Sequence, residues 1–137
     1  MGKLVHGIHH VALKCEGLAE FERVVAFYRD ILDMEPVRTW GEGENVGIML
    51  AAGFSCIEIF ANAVDHPGQG AIRHVALAVS DVDACVAAVR AAGYPITVEP
   101  NSLVIADLPA RIAFCTGPLH EEIEFFASLA CRQSLPR

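Results

Sequence analysis

Two histidines and two glutamates stand at matched places in this chain, and together they make a donor set for a metal ion. His10 lies in Ile8-His9-His10-Val11-Ala12-Leu13, and His74 in Ile72-Arg73-His74-Val75-Ala76-Leu77. Glu58 lies in Cys56-Ile57-Glu58-Ile59-Phe60, and Glu124 in Glu122-Ile123-Glu124-Phe125-Phe126. The Glu follows its His by 48 residues in the first case and 50 in the second. A motif that recurs together with its spacing marks an internal repeat. Two imidazoles and two carboxylates form a borderline-hard nitrogen and oxygen set that suits Zn²⁺, Ni²⁺, Co²⁺, Fe²⁺ or Mn²⁺. Four protein donors leave an octahedral ion one or two positions for water, which the oxygens of a substrate can displace. The ion then serves as a Lewis acid, and a Glu able to leave it becomes a general base beside an acidified carbon. Four isolated strand residues on a wet face would explain one His, but not the same pair twice.

These residues need elements to hold them. The first half opens with a strand over Gly7 to Cys15. A helix is expected over Ala19 to Leu32, because Phe21, Val24, Val25, Tyr28, Ile31 and Leu32 share one face at helical spacing. Pro36 ends it by excluding the helical conformation from the residue before it. Strands follow at Pro36 to Trp40, Val46 to Leu50 and Phe54 to Phe60, with Gly41 to Asn45 as a turn. Asn62 to Gly70 reads as a linker. The second half repeats the order. Its first strand is Ile72 to Val79. Ser80 or Asp81 caps a helix striped by Val82, Cys85, Val86 and Val89, and Gly93 sits where a left-handed C-terminal residue belongs. Further strands are expected around Ile96–Val98, Leu103–Ala106, Arg111–Cys115 and Ile123–Phe126. The tail after Ser128 is expected to be weakly ordered. The fold class is therefore α+β: a single domain over residues 1–137 made of two tandem βαβββ modules, 6–61 and 71–127, forming a curved mixed sheet.

Strand alternation sorts the faces, since side chains two apart point the same way. Val11, Leu13, Val75, Leu77, Ile57, Ile59, Ile123 and Phe125 go to the core under the helices. His10, Lys14, His74, Glu58, Glu122 and Glu124 go to the helix-free face, among small and aromatic residues that suit a cupped cavity. Lys14, Arg38 and Arg111 are candidates to hold a substrate anion, and Glu122 is a candidate second acid or base. Trp40 is placed at the pocket mouth or in packing. His9 is assigned to the core side or a rim, and Met34 and Met49 to packing. His6, His66 and His120 are not taken as ligands.

Composition narrows the classes. A net charge of −7 argues against nucleic acid, whose phosphates need a basic face. No apolar run approaches a membrane span, and the start lacks an apolar signal block. Cys15, Cys56, Cys85, Cys115 and Cys131 are odd in number and form no CxxC pair. They read as reduced, mostly buried thiols of a cytoplasmic protein.

The stretches IHHVALKC, AFYRDILDM (Ala26–Met34), CIEIF, IRHVALAV and EEIEFF resemble the vicinal oxygen chelate superfamily. That group includes glyoxalase I, methylmalonyl-CoA epimerase, extradiol dioxygenases and the fosfomycin and bleomycin resistance proteins. The resemblance covers residues 6 to 127. It implies metal ligands His10, Glu58, His74 and Glu124, a set similar to that of glyoxalase I, with Glu124 as the base and Glu58 able to share that role. It implies a metal-dependent isomerase or lyase acting on a small α-hydroxy- or α-ketocarbonyl compound, or its thiol adduct, through a metal-bound enediolate. It also implies an eight-stranded cup and a homodimer. The alternatives are an Fe²⁺ extradiol-type dioxygenase and a non-catalytic drug- or metabolite-binding protein of the same fold. Three departures stand out. Lys14 replaces an Arg that binds the glutathione carboxylate in glyoxalase I. Asp33 stands where Gly is usual. The turn Thr116-Gly117-Pro118-Leu119-His120 lacks the Asp and second Gly of many relatives.

Overall fold

The computed structural model describes residues 4, 7–65, 70, 72–105 and 107–129. His6, His66, Ala106, Cys131 and all of the tail beyond Leu129 lie outside the described residues. The elements run β1 (His10–Lys14), α1 (Gly17–Ala26) continued by a π-helical turn (Phe27–Ile31), β2 (Pro36–Trp40), β3 (Gly47–Ala52) and β4 (Ser55–Phe60). They repeat as β5 (Val75–Ala78), α2 (Val82–Ala91), β6 (Ile96–Ile105), β7 (Leu108–Thr116) and β8 (Glu122–Ser128). Two four-stranded mixed sheets result, ordered β1-β4-β3-β2 and β5-β8-β7-β6. The first and last strands of each module pair in parallel, and the other neighbours are antiparallel. This is the expected α+β fold of two βαβββ modules.

Each module buries the helix side of its sheet. In the first, Val24 and Val25 of α1 are buried, as are Leu50, Ile57 and Ile59 of the sheet. In the second, Val82, Val86 and Val89 of α2 are buried along with Ile123 and Phe125. The helices contact these strands because their apolar positions recur every three or four residues. Asp81 is the cap of α2, and its carboxylate accepts from the Ala84 backbone N–H at 2.9 Å, satisfying one of the donors a helix start leaves open. Gly93 has φ +89°, the left-handed stop expected there.

Three details differ from the sequence expectation. The first helix does not run regularly to Leu32. After Ala26 it widens, and the Leu32 N–H donates to the Phe27 carbonyl five residues back, at 3.1 Å. The wider turn accompanies burial of two consecutive aromatics, Phe27 and Tyr28, whose rings meet edge to face 5.0 Å apart. The strands expected at Ile96–Val98 and Leu103–Ala106 are one strand, β6. Pro100 read as a break, but it falls in a register shift between Val98 and Asn101 on an edge strand. There it gives up no ladder hydrogen bond. The strand β5 begins at Val75, so His74 stands immediately before it. The chain falls into two compact units. One consists of His9–Arg73 with the turn Gly117–Glu121, and the other contains His74–Thr116 and the residues from Glu122 on.

Three non-glycine residues among those described adopt left-handed backbone, Asp33, Asp107 (φ +69°) and His120. Asp33 has φ +56° and closes the first helix, and His120 has φ +62° in the 117–121 turn. For a residue with a Cβ this conformation costs about 1 kcal/mol or more. Replacing exposed His120 with Gly is therefore expected to raise stability by about 0.5–1 kcal/mol, partly offset by the greater freedom of the unfolded chain. Urea denaturation of His120→Gly checks it, and a midpoint at or below wild type would contradict the assigned strain.

Candidate functional site

The same register holds each His–Glu pair. In the first sheet Ala12 of β1 pairs with Glu58 of β4. In the second, Ala76 of β5 pairs with Glu124 of β8. His10 lies two residues before Ala12 inside β1 and so shares the face of Glu58, diagonal to it. His74 stands two before Ala76, just ahead of β5, and its ring reaches Glu124. His10 Nε2 lies 3.6 Å from Glu58 Oε1, and His74 Nε2 lies 3.3 Å from Glu124 Oε1. Both separations exceed an ordinary hydrogen bond. They are close to the roughly 3.0–3.5 Å expected between neighbouring donors on one ion with ligands at about 2.0–2.2 Å. The carboxylates are 9% and 8% exposed, although they lie on the helix-free face. A merely solvated strand position would not bury them so far.

Small neighbours make this possible. The pairs sit beside Ala12 and Ala76, which leave space above the sheet. His9 Nδ1 lies 2.9 Å from His10 Nδ1, which leaves His10 Nε2 to face Glu58. A ligating imidazole is commonly fixed through its second nitrogen in this way. His9 was assigned to the core side or a rim, and its orienting contact is a feature that strand alternation could not show. The only sequence signal was the adjacency of the two histidines. His74 is steadied differently, by the Phe114 ring, which it meets edge to face at 5.3 Å.

Each half thus assembles its own two donors. Among the described residues no group of three or more His, Cys, Asp or Glu gathers as a ready cation site. The donor types and spacings of the two pairs fit a divalent ion as half-sites.

The remaining candidates separate by face. Arg38 pairs with Met49, and Met49 with Glu58, which puts Arg38 on the first sheet's open face. Lys14 shares that face with His10, two residues beyond Ala12. Glu122 pairs with Thr116 and is half-buried on the face of Glu124. Arg111 is on the opposite face of β7 from Phe114, which pairs with Glu124. Its guanidinium grips Asp83 of α2 with two bonds at 2.6 and 2.7 Å and holds that carboxyl below the usual range. Strand parity puts Arg111 on the helix side, away from the pair. Met49 is half-buried on the open face next to Glu58, so it lines the site rather than the core.

Two further groups belong to the scaffold. The Glu121 carboxylate accepts from the Tyr28 hydroxyl at 2.9 Å and from the Leu119 N–H at 2.7 Å. Burial nevertheless pushes its pKa up. The Cys15 thiol is buried and its pKa is raised to about 12, mainly by desolvation and then by Glu20 and Glu121. It stays protonated near neutral pH and is no nucleophile. Cys56, Cys85 and Cys115 form no disulfide among the described residues. A shallow cleft beside α1, bordered by Phe21, Val25, Arg29 and Ile48, contains none of the paired residues. No described helix is long and apolar enough to cross a membrane.

With this geometry in place, the family is decided by a family model, that of the glyoxalase/bleomycin resistance protein/dioxygenase superfamily, which matches residues 6–125. The chain belongs to this superfamily. Among solved structures it is similar to the trypanothione-dependent glyoxalase I of Leishmania major, at 24% identity and TM-score 0.68, over 90% of this chain and 87% of that one. It is similar to TnmS3, an antibiotic binding protein from Streptomyces sp. CB03234, at 15% identity and TM-score 0.70, over 93% and 99%. It is also similar to the fosfomycin resistance protein FosX of Listeria monocytogenes, at 15% identity and TM-score 0.68, over 90% and 94%. At these identities the likenesses establish the superfamily's fold in this chain, and they span an enzyme, a binder and a resistance protein. None of the curated proteins matches the chain in sequence.

Proposed function

We propose that this superfamily member is a metal-dependent isomerase or lyase of the glyoxalase I type, acting on a small α-hydroxy- or α-ketocarbonyl compound or its thiol adduct. The observation that carries this reading is the identical register of His10–Glu58 and His74–Glu124 in the two sheets. The four residues would hold one divalent ion such as Ni²⁺, Zn²⁺, Co²⁺, Mn²⁺ or Fe²⁺, the two pairs coming from one chain or from the two chains of a homodimer. A bound ion supplies Lewis acidity toward two adjacent substrate oxygens.

The chain's own residues do the rest. The Glu124 carboxylate accepts the proton from the hydroxyl-bearing carbon and returns it to the neighbouring carbon, while the hydroxyl proton passes to the former carbonyl oxygen. The substrate is isomerised with no net gain or loss of atoms. Glu58 stands in the equivalent place and can share the transfer. Glu122, on the same face as Glu124, would relay the oxygen-bound proton. Phe114, which pairs with Glu124, keeps water from the carboxylate, which strengthens every charge interaction there. Lys14 and Arg38 would orient an anionic substrate group.

Carbon-bound deuterium uptake from D₂O tests this directly. With Ni²⁺ or Zn²⁺ present, at least one member of a panel containing methylglyoxal with and without thiol, glyceraldehyde and lactaldehyde is expected to exchange. Exchange should stop when a chelator is added. A panel with no exchange under any metal, but with saturable binding, would replace this reading with that of a binding protein.

A further inference from the structure

The open face of the first sheet carries a feature that proton transfer does not use. Trp40 at the end of β2 lies across Gly47 of β3, where a Cβ would overlap the indole ring. Phe60 of β4 pairs with Gly47 from the other side, and the two aromatic rings meet edge to face 5.8 Å apart. Gly47 is therefore the gap in the sheet surface into which the indole settles. The Arg38 guanidinium carbon stands 4.9 Å from the indole centroid. Arg38 is exposed, and Trp40 and Phe60 are half-exposed.

Charge pairing sets Arg38 apart. Arg23, Arg29, Arg90 and Arg111 each have a carboxylate partner, Glu20, Asp30, Glu99 and Asp83 respectively. Among the described residues Arg38 and Lys14 have none, in a chain with 17 acidic and 10 basic residues. Both lie on this same face. Lys14, Phe60, Gly47 and Trp40 form one row across the four strands, roughly 14 Å long at the usual strand spacing. One row further along are Glu58, Met49 and Arg38. An aromatic corner held flat by a glycine and bordered by an unpaired guanidinium matches a flat ring that carries a negative charge. The ring gains edge-to-face contacts with two aromatics, and the anion meets a planar donor already positioned by the indole.

The geometry points to a planar, aromatic or conjugated anion as the substrate class, with its ring packed against Trp40 and Phe60 and its anionic group on Arg38. This rests on reading the His10–Glu58 face as the active face. The substrate's vicinal oxygens would then lie toward Glu58, about 10 Å from the ring corner or less, two strands away at most.

The test uses benzoate, which lacks a second vicinal oxygen, so binding can be read on metal-free protein. Trp40 is the single tryptophan, so its fluorescence reports from the proposed contact. Benzoate is expected to change the emission saturably. Benzamide (same shape, no charge) and cyclohexanecarboxylate (same charge, not flat) should each bind at least about fivefold more weakly. Arg38→Gln, an exposed change that leaves the fold intact, should bring benzoate down to the affinity of benzamide. Gly47→Ala, which lifts the indole, should weaken benzoate and benzamide alike, read by calorimetry. No saturable change with or without metal, equal affinity for the three compounds, or an unaltered Arg38→Gln variant would overturn the assignment. Its failure is distinct from failure of the proton-transfer reading. Benzoate binding without any deuterium exchange leaves the aryl-anion site standing and removes the catalysis. Exchange of an aliphatic substrate without benzoate binding does the reverse.

Discussion

Glu124→Gln is expected to slow deuterium exchange by about 10²–10⁴-fold, the range over which a positioned general base acts. Glutamine keeps the shape and an oxygen donor at the place where Glu124 faces His74 at 3.3 Å, but it cannot accept the proton. The loss should therefore appear in kcat with bound metal retained. Glu58→Gln should cost less if Glu124 is the principal base, and about as much if the two share the transfer. A Glu124→Gln variant with wild-type exchange would remove this residue from the chemistry. Loss of both metal and activity would make it a ligand only. The equivalent registers of the two pairs give no structural reason to choose between the carboxylates. The resemblance to glyoxalase I supplies the choice, and the paired variants test it.

The second large effect is on stability. Phe125 sits in the middle of β8, pairs with Ala113 and Leu77, and is fully buried. Phe125→Ala is expected to cost about 3–5 kcal/mol, from lost burial and from the cavity left behind. That is a large part of the ~5–15 kcal/mol that holds a domain together, so the variant should be largely unfolded or strongly shifted in urea. Phe126, the next residue, faces the other side and is half-exposed, and Phe126→Ala should cost less than half as much. Equal effects would mean that the two faces of β8 are not divided as described.

Strand alternation already separated these neighbours in the sequence, and the reason is geometric. A period of two fixes the face of every residue once the core side is known. The same rule put His10, Glu58, His74 and Glu124 on the helix-free faces, and the repeated motif identified them as equivalent. What escaped was non-local or depended on backbone that local pattern does not encode. Arg111 looked like a free cation because its partner Asp83 lies 28 residues away on a helix. Glu121 showed no sign of meeting Tyr28, 93 residues earlier. Pro100 and Asn101 carry the marks of a turn, and only pairing with β7 shows that they sit in a bulge. The widened turn at Phe27 accompanies the burial of two adjacent aromatics, which is set by packing and not by local pattern. His9 was assigned by parity, which holds inside a strand, but it lies just before β1 begins.

The central claim is that the two His–Glu pairs serve one ion. Elemental analysis of the purified protein, loaded with Ni²⁺ or Zn²⁺ and freed of excess metal, tests it when wild type is compared with His10→Ala and His74→Ala. About one equivalent per chain in wild type, lost from each single variant, is the predicted result, since removing either His leaves three of the four donors and opens its half of the site. Wild-type protein that retains no metal, or metal kept equally after either change, would contradict it.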